Sequence, residues 1–454
     1  MKIIVSNTIR VQEPDDLIKD YVETNLVIEN PDYIRNIRMG FSNYKTPQYL
    51  VFYEIDGKDY ILPFGCISDL FRMYPRNIFE NRIVIGDKEK YKSSIKLFDY
   101  QEKACNMALK KKNGIIVMPA GSGKTQTALE LVARLELKTL WITHTIDLLN
   151  QSYNRAKSNF ENAGLGKIAN GKIQIGTHIT FATVQTLKSI DLQSYADKWD
   201  CIIVDECHRV CGTPAKAGMF YKVLNKLVAR YKYGLTATPY RNIKGTEKAM
   251  LGLIGNVIIE LDKNVIGEKI IPATIKRINT NFYEIPEDCE ETDGTIKYAK
   301  LTTAIAENVE RNAQILQLLK DCKNNYTLVL ADRVSQMYYL KDKIGYGDVI
   351  DGKTSKDIRE KAIQEVRDGK EKILFATYGL AKEGLDIPRL DRLILASPHK
   401  DKATIIQSIG RIERKFENKE NPICYDLVDP IDYFENMYRF RRRYYKSNNN
   451  IIED

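Results

Sequence analysis

Lys124 and Thr125 close the run Met118-Pro119-Ala120-Gly121-Ser122-Gly123-Lys124-Thr125, which follows the apolar stretch Ile115-Ile116-Val117 and precedes the helical pattern Ala128-Leu129-Leu131-Val132. A strand, a glycine-bearing turn (Gly121, Ser122, Gly123) and a helix bring backbone N–H groups and a helix N-terminus to one point, a cradle for an anion such as a triphosphate. Lys124 would reach the β- and γ-phosphates, and the Thr125 hydroxyl would ligate Mg²⁺. The spacing G-x-x-x-x-G-K-[ST] asks for glycine where this chain has Met118, so the match is to the second half of the motif. Further on, the apolar run Cys201-Ile202-Ile203-Val204 ends in Asp205-Glu206-Cys207-His208. Adjacent carboxylates after a buried strand suit phosphoryl transfer: Asp205 can hold Mg²⁺ through water opposite Thr125, and Glu206 can orient and deprotonate the attacking water.

Two further groups suit a nucleotide. In Leu97-Phe98-Asp99-Tyr100-Gln101 the amide of Gln101 can donate and accept at once, which matches an adenine edge, and Phe98 or Tyr100 could stack on the ring. Gln407, Arg411 and Arg414 fall at i, i+4 and i+7, one face of a helix whose opposite face carries Ile405, Ile409 and Ile412. One side can pack while the other presents two guanidinium groups, suited to charge spread over phosphoryl oxygens.

These side chains need a frame. The runs Thr139–Thr143, Ile179–Thr183, Cys201–Val204 and Tyr233–Thr236 are apolar, β-branched and separated by helical patterns, which predicts a parallel sheet covered on both faces. Ligands on such sheets sit beyond the carboxyl ends of the strands. Thr236-Ala237-Thr238-Pro239 is such an end, and its hydroxyls could link a nucleotide site to a neighbouring domain. Leu328–Ala331, Val349-Ile350, Ile373–Thr377, Leu393–Ala396 and Tyr425–Val428 predict a second α/β unit.

With 454 residues the chain has room for roughly three domains. The formal charge of +9 fits a polyanion-binding surface without requiring one. Residues 1–92 carry 13 Lys and Arg against 14 Asp and Glu, so the positive excess lies downstream. Within them, Asp15–Leu26 and Ile67–Tyr74 read as helices, and Tyr49–Ile55 and Asp59–Leu62 as a hairpin turning at Asp56-Gly57-Lys58. The eight cysteines are scattered without a C-x-x-C pair, which disfavours a zinc ribbon and points to a reducing interior. No apolar run reaches the length of a membrane span, and the N-terminus lacks a secretory signal.

In this order and at these separations, Gly121–Thr125, Asp205-Glu206-Cys207-His208 and Thr236-Ala237-Thr238-Pro239 resemble the motifs of a superfamily 2 helicase of the DExH type. Tyr100-Gln101 is similar to that family's adenine-reading element, with Phe98 where the family often has Arg. Thr143-His144-Thr145 with Leu148–Gln151, and Thr183-Val184-Gln185-Thr186, resemble the motifs that hold the nucleic-acid backbone; Thr143, His144, Thr183, Gln185 and Thr377 are the side chains expected there. Small hydroxyl and amide groups at strand ends suit phosphate contacts that carry no sequence information. The stretch Thr377–Pro388 resembles motif V, with Gly384 and Asp386 in coupling roles beside Thr236 and Thr238, and Gln407–Arg414 resembles motif VI, with Gln407, Arg411 and Arg414 acting on the transferring group.

The resemblance, which spans roughly residues 95–445, implies an α/β fold with two RecA-like parallel-sheet motor domains in tandem, an ATP-binding domain (93–275) and a helicase C-terminal domain (276–454) with a basic tail; ahead of them the helices and hairpin of residues 1–92 read as a small N-terminal α+β accessory domain that grips nucleic acid or positions the motor. It implies ATP and Mg²⁺ as cofactors and DNA as partner, with RNA the weaker candidate. Among DNA motors the chain is most similar to the UvsW, RecG and XPB type that remodel forks and branched junctions, working as a monomer in the cytoplasm, or in a host cytoplasm if phage-encoded. A restriction-enzyme motor subunit, an RNA helicase and an ATP-gated nucleic-acid clamp are the alternatives. Pro286–Gly294 reads as an exposed acidic loop and Asn448–Asn450 as disordered. Arg439, Arg441, Arg442 and Arg443, interleaved with Phe440, Tyr444 and Tyr445, are either a phosphate- and base-binding tail or a charged helix docked on the core.

Overall fold

A strand such as Cys201-Ile202-Ile203-Val204 has no polar side to offer water and must be covered on both faces. In the computed structural model it sits near the middle of an eight-stranded sheet. The structure describes residues 1–119, 121–237, 247–262, 270–291, 293, 295–382 and 385–453. It divides into two compact units, residues 1–119 with 123–262, and residues 263–454 with the turn residues 120–122.

In the first unit the strands follow the order Lys172–Gln174, Leu165–Ala169, Ile179–Thr183, Thr139–Thr143, Cys201–Asp205, Tyr231–Thr236, Asn113–Val117 and Val257–Glu260. All neighbours are parallel except the first pair. The N-terminal segment adds a five-stranded sheet, Glu54–Asp56, Asp59–Pro63, Thr8–Gln12, Lys2–Val5 and Phe79–Asn81. Its helix Asp16–Leu26 starts at Asp15, whose carboxylate accepts from Ile18 N at 3.0 Å. The hairpin closes between Asp56 and Asp59 over Gly57 at φ +61°, a left-handed position that glycine adopts without cost.

Three expectations change here. The run Tyr49–Ile55 is two strands: Tyr49–Val51 pairs with Val27–Glu29, and Glu54–Asp56 pairs with Asp59–Pro63, with the intervening Phe52 3% exposed. Residues 1–92, expected as an accessory domain, share one apolar core with the first motor sheet: Ile3, Ile9, Leu62 and Leu70 belong to the same cluster as Ile115, Val204, Met250 and Leu253. Contact is so close that a Cβ on Gly65 would lie 2.1 Å from the carbonyl oxygen of Leu251. The boundary expected after residue 275 moves upstream, since Thr274–Asn279 pairs with Ile423–Val428 inside the second sheet.

The second unit is built on seven parallel strands in the order Asp348–Ile350, Ile373–Thr377, Thr327–Ala331, Arg392–Leu395, Ile423–Val428, Thr274–Asn279 and Ile451–Glu453. The last of these corrects the expected disorder near the C-terminus: the Asn450 amide donates to Ala273 O at 3.2 Å and to Glu413 Oε1 at 2.7 Å and leads into that edge strand. The acidic stretch after Pro286 is also anchored, with Cys289 1% exposed and packed with Phe282, Leu301 and Phe434.

Candidate nucleotide site and nucleic-acid surface

Sheet order places three functional turns side by side. Asn113–Val117 leads into the glycine turn, Cys201–Asp205 into the carboxylates, and Tyr231–Thr236 lies between them, with Asp205 opposite Leu235 and Thr236 opposite Val117. Met118 N donates to Thr236 O at 3.0 Å, tying the glycine turn to the middle strand. Lys124 Nζ lies 3.4 Å from the carbonyl oxygens of both Met118 and Pro119, so the ammonium lies over the turn where a phosphate would need it. Thr125 is in the first turn of the helix Lys124–Leu135, and Gly121 and Gly123 both have φ near +80°. Ser122 is buried.

Gln101 is 2% exposed beneath this turn. Its Oε1 accepts from Phe98 N at 3.0 Å, and a Cβ on Gly123 would lie 2.4 Å from its Nε2. Gln101 therefore braces the turn, a role its spacing did not announce. Phe98 is half exposed and stacks near Tyr100, centroids 6.1 Å apart at 18°.

Asp205 is 6% exposed. Burial, reinforced by the charge of Glu206 and opposed by Lys124, raises its pKa well above the ordinary carboxylate range. A buried carboxylate at a strand end is a suitable donor for a divalent cation such as Mg²⁺, to which the Thr125 hydroxyl could add a second oxygen. Glu206 takes a left-handed conformation, φ +50°, with its N–H donating to Asp205 Oδ1 at 3.0 Å. This turn directs its carboxylate to His208, whose Nδ1 lies 3.2 Å from Glu206 Oε2 and 3.1 Å from Thr236 Oγ1. His208 thus bonds Thr236 and lies beside the carboxylate of the candidate base. Sequence reasoning named Thr236 but assigned His208 no role; its place two residues after Glu206 was the available signal. Thr238 and Gly384 lie outside the described residues.

The expected nucleic-acid residues separate. Thr143 is fully buried, and its hydroxyl donates to Thr145 O at 3.0 Å; it orders the turn into the helix Ile146–Asn159 and is no phosphate contact. Thr183 is 6% exposed and bonds Thr186 Oγ1 at 3.0 Å, again an internal role. Gln185 Nε2 donates to His144 O at 2.7 Å, so these two are brought together. Burial, with Arg209 and His208 nearby, lowers the His144 pKa to about 4, leaving a neutral ring at neutral pH. Thr377 is half-buried at the end of its strand.

Arg441 is a correction. It lies on the helix Asp432–Ser447, 1% exposed, with Nε and Nη2 donating to the two Asp426 carboxylate oxygens, both at 2.8 Å. Tyr445 also donates to Asp426, at 2.6 Å. This face of the helix docks on the core, while Arg439 and Arg443 are exposed and Arg442 is half-buried.

In the second unit the helix Lys402–Ile412 buries Ile405, Ile409 and Ile412 completely, as their spacing requires. Gln407 is 8% exposed. Arg411 donates from Nε to Ala381 O and from Nη1 to Leu385 O, both at 3.1 Å. The helix stops before Arg414, so the i+7 relationship fails; Arg414 instead bridges antiparallel to Ile270 and ion-pairs with Asp386. Arg411 thus binds Ala381 and Leu385 and Arg414 binds Asp386, and Lys419 Nζ holds Arg414 O at 2.6 Å.

Residues 94–241 match the family described as type III restriction enzyme, res subunit, and residues 308–415 the helicase conserved C-terminal domain. The chain is 28% identical over 366 residues to the DNA 3'-5' translocase XPB2 of Sulfurisphaera tokodaii, covering 71% of this chain and 80% of the relative. It is 24% identical over 357 residues to the ATP-dependent DNA helicase uvsW of Enterobacteria phage T4, covering 73% and 68%. In fold it is similar to S. cerevisiae Dbp5 bound to RNA and ADP BeF3, with a TM-score of 0.55 and 16% identity over 78% of this chain and 88% of the other.

Proposed function

Because this chain belongs to the superfamily 2 helicases, enzymes that hydrolyse ATP to work on nucleic acid, we propose that it is a DNA motor that unwinds or branch-migrates forked and junction DNA. The observation that supports this reading is the single apolar core shared by the N-terminal layer and the first motor sheet. A DNA contact on that layer moves with the ATP site as one body, which suits a motor that remodels a branch. The similarity to two proteins named as DNA motors supports the DNA reading, and a comparable similarity to a putative ATP-dependent RNA helicase of Acanthamoeba polyphaga mimivirus makes the RNA duplex the deciding arm of the test.

In this reading Lys124, Thr125 and the turn Gly121–Gly123 hold the phosphates; Thr125 and Asp205 would hold Mg²⁺, which would supply neutralising charge for the phosphoryl oxygens. Glu206 takes the proton of the attacking water. His208 and Thr236 carry the state of that carboxylate along the sheet. Gln407, Arg411 and Arg414 act on the transferring phosphoryl group from the second unit, with Asp386 holding Arg414 until then. Hydrolysis releases this closure, and repeated cycles move the protein along a strand. No helix among the described residues is long and apolar enough to cross a membrane. We place the protein in the cytoplasm, or a host's, as a monomer.

The test is ATP-driven strand release from a four-way junction, a fork, duplexes with a 3′ or 5′ tail, and an RNA duplex. Preferential action on junction and fork is expected. Release only from tailed duplexes or RNA would replace the branch-migration reading, and turnover without release on any substrate would favour a clamp or a motor that requires a partner.

A further inference from the structure

Between the helix Asp16–Leu26 and the edge hairpin Glu54–Pro63 of the N-terminal layer, the chain makes an excursion with no apolar core of its own. Its base is the two-stranded sheet Val27–Glu29 with Tyr49–Val51, fixed to the body by buried Leu26 and Phe52, with Phe52 N donating to Leu26 O at 2.8 Å. Beyond the base, no side chain in 31–51 is buried. The helix Pro31–Arg38 is amphipathic in sequence yet buries none of its residues.

Polar bonds hold the excursion in shape. Asn30 caps the helix through Asp32 N at 3.0 Å, and its amide donates to Pro47 O at 2.7 Å. Asn36 Nδ2 donates to Asn43 Oδ1 at 3.0 Å, and Asn43 Nδ2 donates to Tyr33 O at 3.2 Å. Three asparagines thus do the work that apolar packing does elsewhere, and the apolar groups are turned outward: Ile37 60%, Met39 56%, Phe41 59% and Tyr44 90% exposed. Exposing such groups together opposes the hydrophobic effect unless something covers them. The charge says what. In residues 31–48 Arg35 ion-pairs with Asp32 at 3.2 Å, so the net positive charge of the segment comes from Arg38 and Lys45, within a layer that is net acidic. Planar rings among cations, with one carboxylate, match nucleobases flanked by phosphates.

We propose that the excursion 30–48 is a second nucleic-acid contact, in which Phe41 and Tyr44 stack on unpaired bases at a branch point while Arg38 and Lys45 hold the flanking phosphates. This rests on the reading of the chain as a DNA motor. It adds to that reading a specific grip, outside the helicase motifs, that distinguishes branched from linear DNA.

The experiment uses the full chain without nucleotide and a synthetic fork carrying 2-aminopurine at the first unpaired base. Fork and linear single-strand affinities and single-strand-stimulated ATPase activity are measured beside it, for wild type, Phe41→Ala/Tyr44→Ala, Phe41→Leu/Tyr44→Leu and Arg38→Glu/Lys45→Glu. Wild type should change the 2-aminopurine fluorescence. The alanine and leucine pairs should lose that change and about tenfold in fork affinity, the scale of one or two base stacks. Their single-strand ATPase activity and melting temperature should stay at the wild-type level, and the glutamate pair should flatten the salt dependence of fork binding. Unchanged fork affinity in the alanine pair, or full retention in the leucine pair, overturns the stacking contact while leaving the motor reading intact. Loss of self-association in sedimentation in place of fork binding makes the patch a protein interface and also overturns it. A wild type that binds neither fork nor single strand refutes the motor reading itself.

Discussion

The imidazole Nδ1 of His208 stands 3.1 Å from the hydroxyl oxygen of Thr236, across the boundary between two neighbouring parallel strands. The same nitrogen lies 3.2 Å from the Glu206 carboxylate. His208→Ala and Thr236→Val should therefore retain ATP binding and much of the basal hydrolysis but lose several-fold of the stimulation that nucleic acid gives. Steady-state ATPase assays with and without single-stranded DNA check this; equal stimulation in the variants removes the link.

Lys124 lies over the glycine turn, 3.4 Å from two carbonyl oxygens that a phosphate would displace. Lys124→Ala should abolish turnover by a factor of about 10² or more. Thermal melting should show a folded protein that ATP no longer stabilises. Retained turnover contradicts the phosphate assignment.

Arg411 carries bonds to the carbonyl oxygens of Ala381 and Leu385, so its removal touches both those anchors and any phosphoryl contact. Arg411→Ala should lower kcat by about 10²-fold or more, while the Kd for a nucleotide analogue moves less than kcat. A weaker Kd with unchanged kcat would leave Arg411 a positioning residue only.

Arg441 and its neighbours divide by exposure. Arg441→Ala strands the buried Asp426 carboxylate and should cost about 3–5 kcal/mol of stability, read by denaturant unfolding. Arg439→Glu with Arg443→Glu should leave stability unchanged and weaken nucleic-acid binding, lowering the slope of log K against log salt by about one per lost phosphate contact. Binding unaffected by the exposed pair would assign the whole helix to docking.

Lys232 is 1% exposed, with its ammonium 4.3 Å from the centre of the Phe64 ring, and burial lowers its pKa to about 7. The unfolded chain keeps the ordinary value near 10.5. Between those values the unfolded state holds a proton that the folded state gives up, so stability is greatest above the unfolded value, declines as pH falls from 10.5 to 7, and is level below. Lys232→Met should be more stable than wild type near pH 7, by on the order of 1–3 kcal/mol, and the gap in Tm should narrow toward pH 10. A gap independent of pH would mean packing alone.

Much was legible before any coordinate. Both sheets were visible because a strand covered on two faces must be apolar at every position: Thr139–Thr143, Ile179–Thr183 and Ile373–Thr377 fall where the residues place them. Lys124-Thr125 and Asp205-Glu206 fall at the strand-to-turn steps where the sequence places them, because such a step is set by local chain and needs no help from distant segments. The face formed by Ile405, Ile409 and Ile412 was a local property of one helix.

What the chain could not announce is whatever depends on which distant segments meet. The side chain of Arg441 reads as a phosphate ligand until Asp426, on another element, neutralises it inside the core. Thr143 has the right type for a backbone contact, yet its burial against Thr145 and Ala182 decides otherwise. His208 meets Thr236 only because sheet order sets the two side by side, and residues 1–92 join the first motor sheet only because Met250 and Leu253 share their core. Sequence by itself determined the periodicities and the chemistry of each turn, since these arise within a few residues. Tertiary structure alone decided which charges are paired and which polar groups face water, since burial and pairing are relations between residues that the chain brings together only on folding.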